Sequence, residues 1–192
     1  MQGMQQDQAC VPARREWCKR SGLFVAGLGA ASTLALPGRA LAAPAAAAGD
    51  LQMLNTALGL EYQAIAAYQV GAESGLLQKP VLALAVSFQG QHKAHAGVLE
   101  TTIRRLGGTA VEPRKPADYG FPTDRLKNQA DVLEFAAGLE KGAASAYLGT
   151  VGRFAMPQLA KAAASILGDE TMHWAILLQA LGQDPVPAAF IA

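Results

Sequence analysis

Four stretches of this chain place apolar residues in alternating steps of three and four, and each sets titratable residues on that same stripe. Steps of three and four keep side chains on one face of an α-helix. The first stripe reads Leu51, Leu54, Leu58, Glu61, Ile65, Tyr68. The second reads Ala85, Phe88, His92, His95, Leu99, Thr102, Leu106. The third is Leu133, Ala136, Glu140, Ala143, Tyr147, Thr150, Phe154. The fourth is Leu159, Ala163, Ile166, Glu170, His173, Leu177, Ala180. No segment shows the two-residue alternation of a strand. Half the chain is apolar while 6% is aromatic, and alanine supplies much of the apolar share. Alanine is the strongest helix former. These features predict an all-α fold.

Helix breakers divide the stripes. The first helix is expected over 50–74, with Asp50 as its N-cap. The second is expected from Pro80 to Leu106, ended by Gly107-Gly108. The third starts at Asp124 or Gln129 and reaches Phe154. The fourth runs from Pro157 to Leu181-Gly182, with Asp184-Pro185 beyond. The connections are short, long and short. The long one, residues 107–122, is rich in Pro and Gly. This predicts a four-helix bundle over 50–192 with one long crossover between helices 2 and 3.

The titratable residues carry the chemistry. An unpaired charge in a bundle core costs several kcal/mol, of the order of ~2–7 even for an uncharged polar group, unless it is paired or coordinated. All three histidines of the chain fall on the stripes. His92 and His95 are three apart, as are Glu170 and His173, so each pair shares one helix face. Glu61 and Glu140 are the single acids on their stripes. Carboxylate and imidazole suit iron, manganese or zinc better than copper(I). The candidate metal ligands are Glu61, His92, His95, Glu140, Glu170 and His173. No residue is singled out as catalytic. The alternative is a metal-free network in which the histidines pair with the glutamates. Tyr68 and Tyr147 are read as core aromatics whose hydroxyls need partners. Gln91 and Glu134, one residue off the stripe, are read as solvated or interfacial.

Leu139-Glu140-Lys-Gly-Ala-Ala-Ser-Ala-Tyr147-Leu148 and Ile166-Leu-Gly-Asp-Glu170-Thr-Met-His173-Trp174-Ala175 carry a resemblance. Over roughly 50–190 the chain resembles the ferritin-like superfamily, in particular bacterial Tat-exported ferritin-like domain proteins. The resemblance implies a ferritin-like bundle with a carboxylate-bridged dinuclear iron or manganese centre. There, two helices each give one Glu and two give Glu-x-x-His. One departure stands out. His92 occupies the place of a bridging glutamate, and a neutral imidazole cannot bridge. Three glutamates bring −3 against the +4 of two divalent ions. A hydroxide or oxide bridge restores the balance, and a single ion held by some of the six residues is equally open.

The amino terminus reads as an address. Arg14-Arg15-Glu16-Trp17-Cys18-Lys19 precedes an apolar run from Gly22 to Leu36, then Ala40-Leu41-Ala42. The run is shorter than the roughly 20 residues that span a bilayer. The segment resembles a twin-arginine (Tat) signal. It implies the Tat machinery as a partner, cleavage near Ala42, and a periplasmic or otherwise exported product without a stable membrane anchor. Residues 43–49 are expected to form a linker. Both cysteines lie in this leader, so the body has no thiol chemistry. Five of the 16 basic and two of the 15 acidic residues precede residue 50, leaving 11 against 13. That balance gives no reason to expect nucleic acid. A homodimer is an open expectation. The function classes left are an iron or manganese oxidoreductase, a non-catalytic metal or stress-handling protein, and a metal-free structural or interaction module.

Overall fold

The computed structural model of the chain describes residues 45–191. The segment expected to be an export signal and the first two residues of the expected linker lie outside them. Four helices make up the body: α1 (Ala45–Glu73), α2 (Lys79–Arg105), α3 (Gln129–Val151) and α4 (Pro157–Ala180). There is no strand among the described residues. α1 packs closely on α2 and α3 on α4, giving two hairpins, and α1 faces α3 across the bundle. The expected all-α bundle with its crossover between the second and third helices is what the structure shows.

Several helix ends follow directly from local chemistry. α2 stops where Gly107 adopts a positive φ of 78°. The Gly108 N–H then bonds the Ile103 carbonyl and the Gly107 N–H that of Arg104. This is a Schellman ending, which supplies donors to carbonyls the helix leaves unpaired. Gly108 also approaches α1 closely: a Cβ there would stand 2.6 Å from Leu51 Cδ2. α4 ends in the same way at Gly182, φ 72°. Of the two starts considered for the third helix, the structure takes Gln129. Asn128 accepts from the Asp131 N–H while the Asp131 carboxylate accepts from the Asn128 N–H, a complete capping box. Asp124 instead lies in a 3₁₀ turn, Thr123–Arg125. α3 ends at Val151, short of Phe154.

The first helix corrects one expectation. α1 begins at Ala45, inside the segment read as linker, because an alanine run extends a helix readily. Asp50 is therefore an interior helical residue and not an N-cap. Its carboxylate is buried and accepts from the N–H groups of Ala155 (2.8 Å) and Met156 (3.1 Å). Met156 holds the N-cap position of α4 and offers no side-chain acceptor. α1 thus supplies from outside what the entry to α4 lacks. The crossover is pinned in a similar way: Asn55 donates to the Thr109 carbonyl and accepts from the Val111 N–H.

The apolar core forms clusters on either side of a polar layer. Leu54, Leu58, Ala96, Leu99, Ile103 and Leu159 pack on one side. Tyr68, Ala85, Phe88, Leu133, Ala137 and Leu177 pack on the other. Full burial of a side chain such as Leu58 or Ile103 contributes about 1.5–3 kcal/mol. Glu61, His92, Glu140 and Glu170 lie between the clusters, at mid-height of the helices. No described helix is long and apolar enough to cross a membrane.

Replacing Asp50 by Ala leaves the two entry N–H groups of α4 without their acceptor. We expect a loss of about 1–2 kcal/mol, the scale of a lost cap, read by urea denaturation. An unchanged midpoint would contradict the capping role.

Candidate metal centre

The helical register brings all six sequence candidates to one place. α1 supplies Glu61, α2 supplies His92 and His95, α3 supplies Glu140, and α4 supplies Glu170 and His173. Five of them are 2% exposed or less, and His95 is 16% exposed. They form two quartets whose ligand atoms lie within 4.8 Å of one another: Glu61, His92, His95, Glu170, and His92, Glu140, Glu170, His173. His92 and Glu170 belong to both.

His92 is tied on both sides of its ring. Nδ1 lies 2.9 Å from Glu61 Oε2 and Nε2 lies 3.2 Å from Glu140 Oε1. The tyrosines add a crossed pair. Tyr147 donates to Glu61 Oε1 at 2.5 Å, and Tyr68 donates to Glu140 Oε1. The hydroxyl partners expected from the sequence are therefore the glutamates of the opposite hairpin. Phe88 stacks on the His173 ring with centroids 4.0 Å apart, which keeps water from that side.

Two residues of the centre escaped the sequence reading. Gln91 is not merely solvated: its Oε1 lies at hydrogen-bond distance from His173 Nε2. Asp169 Oδ2 lies 3.2 Å from His95 Nε2 and 3.5 Å from His173 Nε2. Each sits four residues before a histidine on its own helix, the spacing that marks neighbours on one face. That spacing was the available signal. Partners of this kind fix the orientation of an imidazole and raise its basicity.

The donors fit a metal by what they leave unpaired. Buried side-chain polar atoms without a hydrogen bond, among the described residues, are His95 Nδ1, His173 Nδ1, Glu140 Oε2 and both oxygens of Glu170. All belong to this cluster. An unsatisfied buried polar group costs about 1–3 kcal/mol. Imidazole nitrogens held at the far side, with carboxylate oxygens opposite, are the donor set of a hard or borderline divalent ion.

Electrostatics without an ion are set by mutual pairing. Burial alone would lower the histidines, but hydrogen bonds and charge from Glu140 and Glu61 outweigh it and raise His92 to about 10. Glu170 and Glu61 raise His95 to about 9 against the same burial, and Glu140 and Glu170 do so for His173. Burial works to raise Glu61 and Glu140, yet their histidine partners hold both below the usual carboxylate range. At Glu170 burial prevails and the pKa goes up. Burial and the neighbouring glutamates push both tyrosines up, so they remain donors.

One side of the centre opens outward. A cleft of about 520 Å³ between α2 and α4 is lined by His95, Val98, Ile166, Asp169 and Met172 among others. His95 is the candidate ligand that reaches it.

A four-helix bundle with one long crossover and a mid-core carboxylate and imidazole cluster defines a ferritin-like class of protein. The chain belongs to the ferritin-like domain family, whose model matches residues 49–183. Solved structures agree on the fold. A conserved hypothetical protein from Mycobacterium tuberculosis aligns with a TM-score of 0.64 at 24% identity, covering 76% of this chain and 99% of that one. Ferritin-like diiron-carboxylate proteins from Bacillus anthracis str. Ames align at 0.61 and 22% identity, covering 71% and 97%. A dodecameric thioferritin, the bacterioferritin-related protein from Bacteroides fragilis, aligns at 0.59 and 22% identity, covering 71% and 86%. No curated protein matches the sequence.

The histidine shifts give the metal-free protein a defined pH response. Groups with pKa raised on folding stabilise fully below the unfolded value of about 6.5 and lose that contribution as pH passes the folded one. The denaturation midpoint of chelator-treated protein should therefore fall between pH 7 and 10. His92→Gln should flatten this fall. A midpoint that stays level over that range in the parent would contradict the pairing.

Proposed function

We propose that this chain is an exported metalloprotein that holds iron or manganese in its bundle core. Its role is redox chemistry with oxygen, peroxide or ferrous iron, or the handling of metal under oxidative stress. The observation that supports this reading is the set of buried donor atoms that make no hydrogen bond around one point: two imidazole nitrogens and three carboxylate oxygens. Bound there, iron or manganese would supply a one-electron couple that the side chains lack. Zinc fits the same donors without that couple.

The chain's own residues have distinct tasks in this reading. His95 and His173 present Nδ1 inward while Asp169 and Gln91 hold Nε2. Tyr68 and Tyr147 fix Glu140 and Glu61. Phe88 and the flanking apolar clusters exclude water, and the cleft beside His95 admits small molecules. If the centre turns over, it is an oxidoreductase of di-iron or di-manganese type. Oxygen or peroxide consumption separates that from simple sequestration.

Export, to the periplasm or otherwise, with cleavage near Ala42, is supported by the twin-arginine motif alone. Self-association, as a homodimer or larger assembly, is also part of the proposal. Val86, Val98, Met172 and Ile176 leave apolar surface exposed on α2 and α4, and the Bacteroides fragilis protein is a dodecamer.

A second reading has its own support. His92 bonds Glu61 and Glu140 at once, so part of the cluster is satisfied without any ion. On that reading the bundle is a metal-free structural or interaction module.

Metal analysis of natively purified protein decides between them. We expect near-stoichiometric iron or manganese, lost in Glu170→Ala/His173→Ala. Because ligand histidines must shed their protons, loading the stripped protein at pH 7 should release protons to the solvent. A folded protein that stays empty when offered iron, manganese and zinc would leave the metal-free module standing.

A further inference from the structure

The two hairpins repeat one pattern, and the pattern breaks at a single place. Glu61 and Tyr68 on α1 correspond to Glu140 and Tyr147 on α3, seven apart in each. His95 on α2 corresponds to His173 on α4. The contacts cross symmetrically: Tyr68 to Glu140 and Tyr147 to Glu61, Gln91 to His173 and Asp169 to His95. The break is on α2, where Gln91-His92 stands opposite Asp169-Glu170. One half has exchanged two acids for neutral or basic side chains.

That exchange leaves the two quartets unequal. Glu61 has both oxygens engaged, Oε1 by Tyr147 and Oε2 by His92. Its half offers His95 Nδ1 and the shared Glu170. Glu140 carries both Tyr68 and His92 on Oε1, so its Oε2 stays free. The other half therefore offers Glu140 Oε2, Glu170 and His173 Nδ1 together. His173 Nδ1 lies 3.5 Å from Glu140 Oε2 and 3.6 Å from Glu170 Oε2. On the other half His95 Nδ1 lies 3.4 Å from Glu61 Oε2 and 3.2 Å from Glu170 Oε1, so the spacing is alike and the difference is that Glu61 Oε2 is already bonded to His92. His173 is buried, whereas His95 faces the cleft.

Building on the metal-binding reading above, we propose that the centre is asymmetric. One ion is held tightly by Glu140, Glu170 and His173. A second, on the His95 side, binds weakly because it must first displace His92 from Glu61. The half next to the cleft is then the exchangeable one.

The test is equilibrium dialysis of the metal-stripped full chain against manganese(II), with bound and free ion followed by EPR. We expect one tight equivalent and a second at least tenfold weaker. His173→Ala should lose the tight equivalent and His95→Ala the weak one. Glu140→Gln serves in place of His173→Ala if that variant fails to fold by circular dichroism. His92→Glu returns the α2 counterpart of Glu170, releases Glu61 Oε2, and should bring the two affinities within about threefold. Two equal equivalents in the parent, or loss of the tight ion in His95→Ala alone, would overturn the asymmetry while leaving the metal reading intact. No binding in the parent would overturn both.

Discussion

Burying acids and imidazoles in an apolar bundle is tolerable only if they satisfy one another or an ion, and the interior of this protein is arranged around that constraint. The polar layer sits at mid-height, sealed on both sides by leucine, isoleucine and aromatic clusters. A low-dielectric surround strengthens each pairing and raises the cost of each omission. Every helix contributes to the layer, so the four helices must agree in height and rotation. Slippage of one helix by a residue would turn its acid or imidazole away and strand its partners.

The crossed tyrosines show how that agreement is enforced. Each hydroxyl spans from one hairpin to a glutamate of the other, so hairpin docking and ligand orientation are one event. Asp50 and Asn55 serve the same end at the rim. The first holds the entry of α4 against α1, and the second holds the crossover there. These contacts join parts of the chain far apart in sequence, which is why the connecting segments need so little structure of their own.

His92 takes its meaning from this polar layer. Where α4 presents Glu170, α2 presents a ring whose two nitrogens are each committed to a different glutamate. The result is a cluster partly content without an ion and partly open to one. The open part comprises Glu140 Oε2, both oxygens of Glu170 and the Nδ1 atoms of His95 and His173.

Much of this was legible in the chain itself. Stripes with steps of three and four fixed four helices and the face each buries, because helical periodicity is local. Glycines and prolines marked most of the ends for the same reason. The six core acids and histidines were visible because a charge on an apolar stripe demands an explanation within the segment that bears it. What the tertiary structure alone decided is which partner answers each demand. Asp50 reads as a cap for its own helix and serves another; Gln91 reads as solvated or interfacial, yet it and Asp169, which no stripe marks, hold histidines across the bundle. The division of free donor atoms between the two halves is of the same kind. Such pairings depend on the relative height and rotation of packed helices, which periodicity along a single helix does not specify.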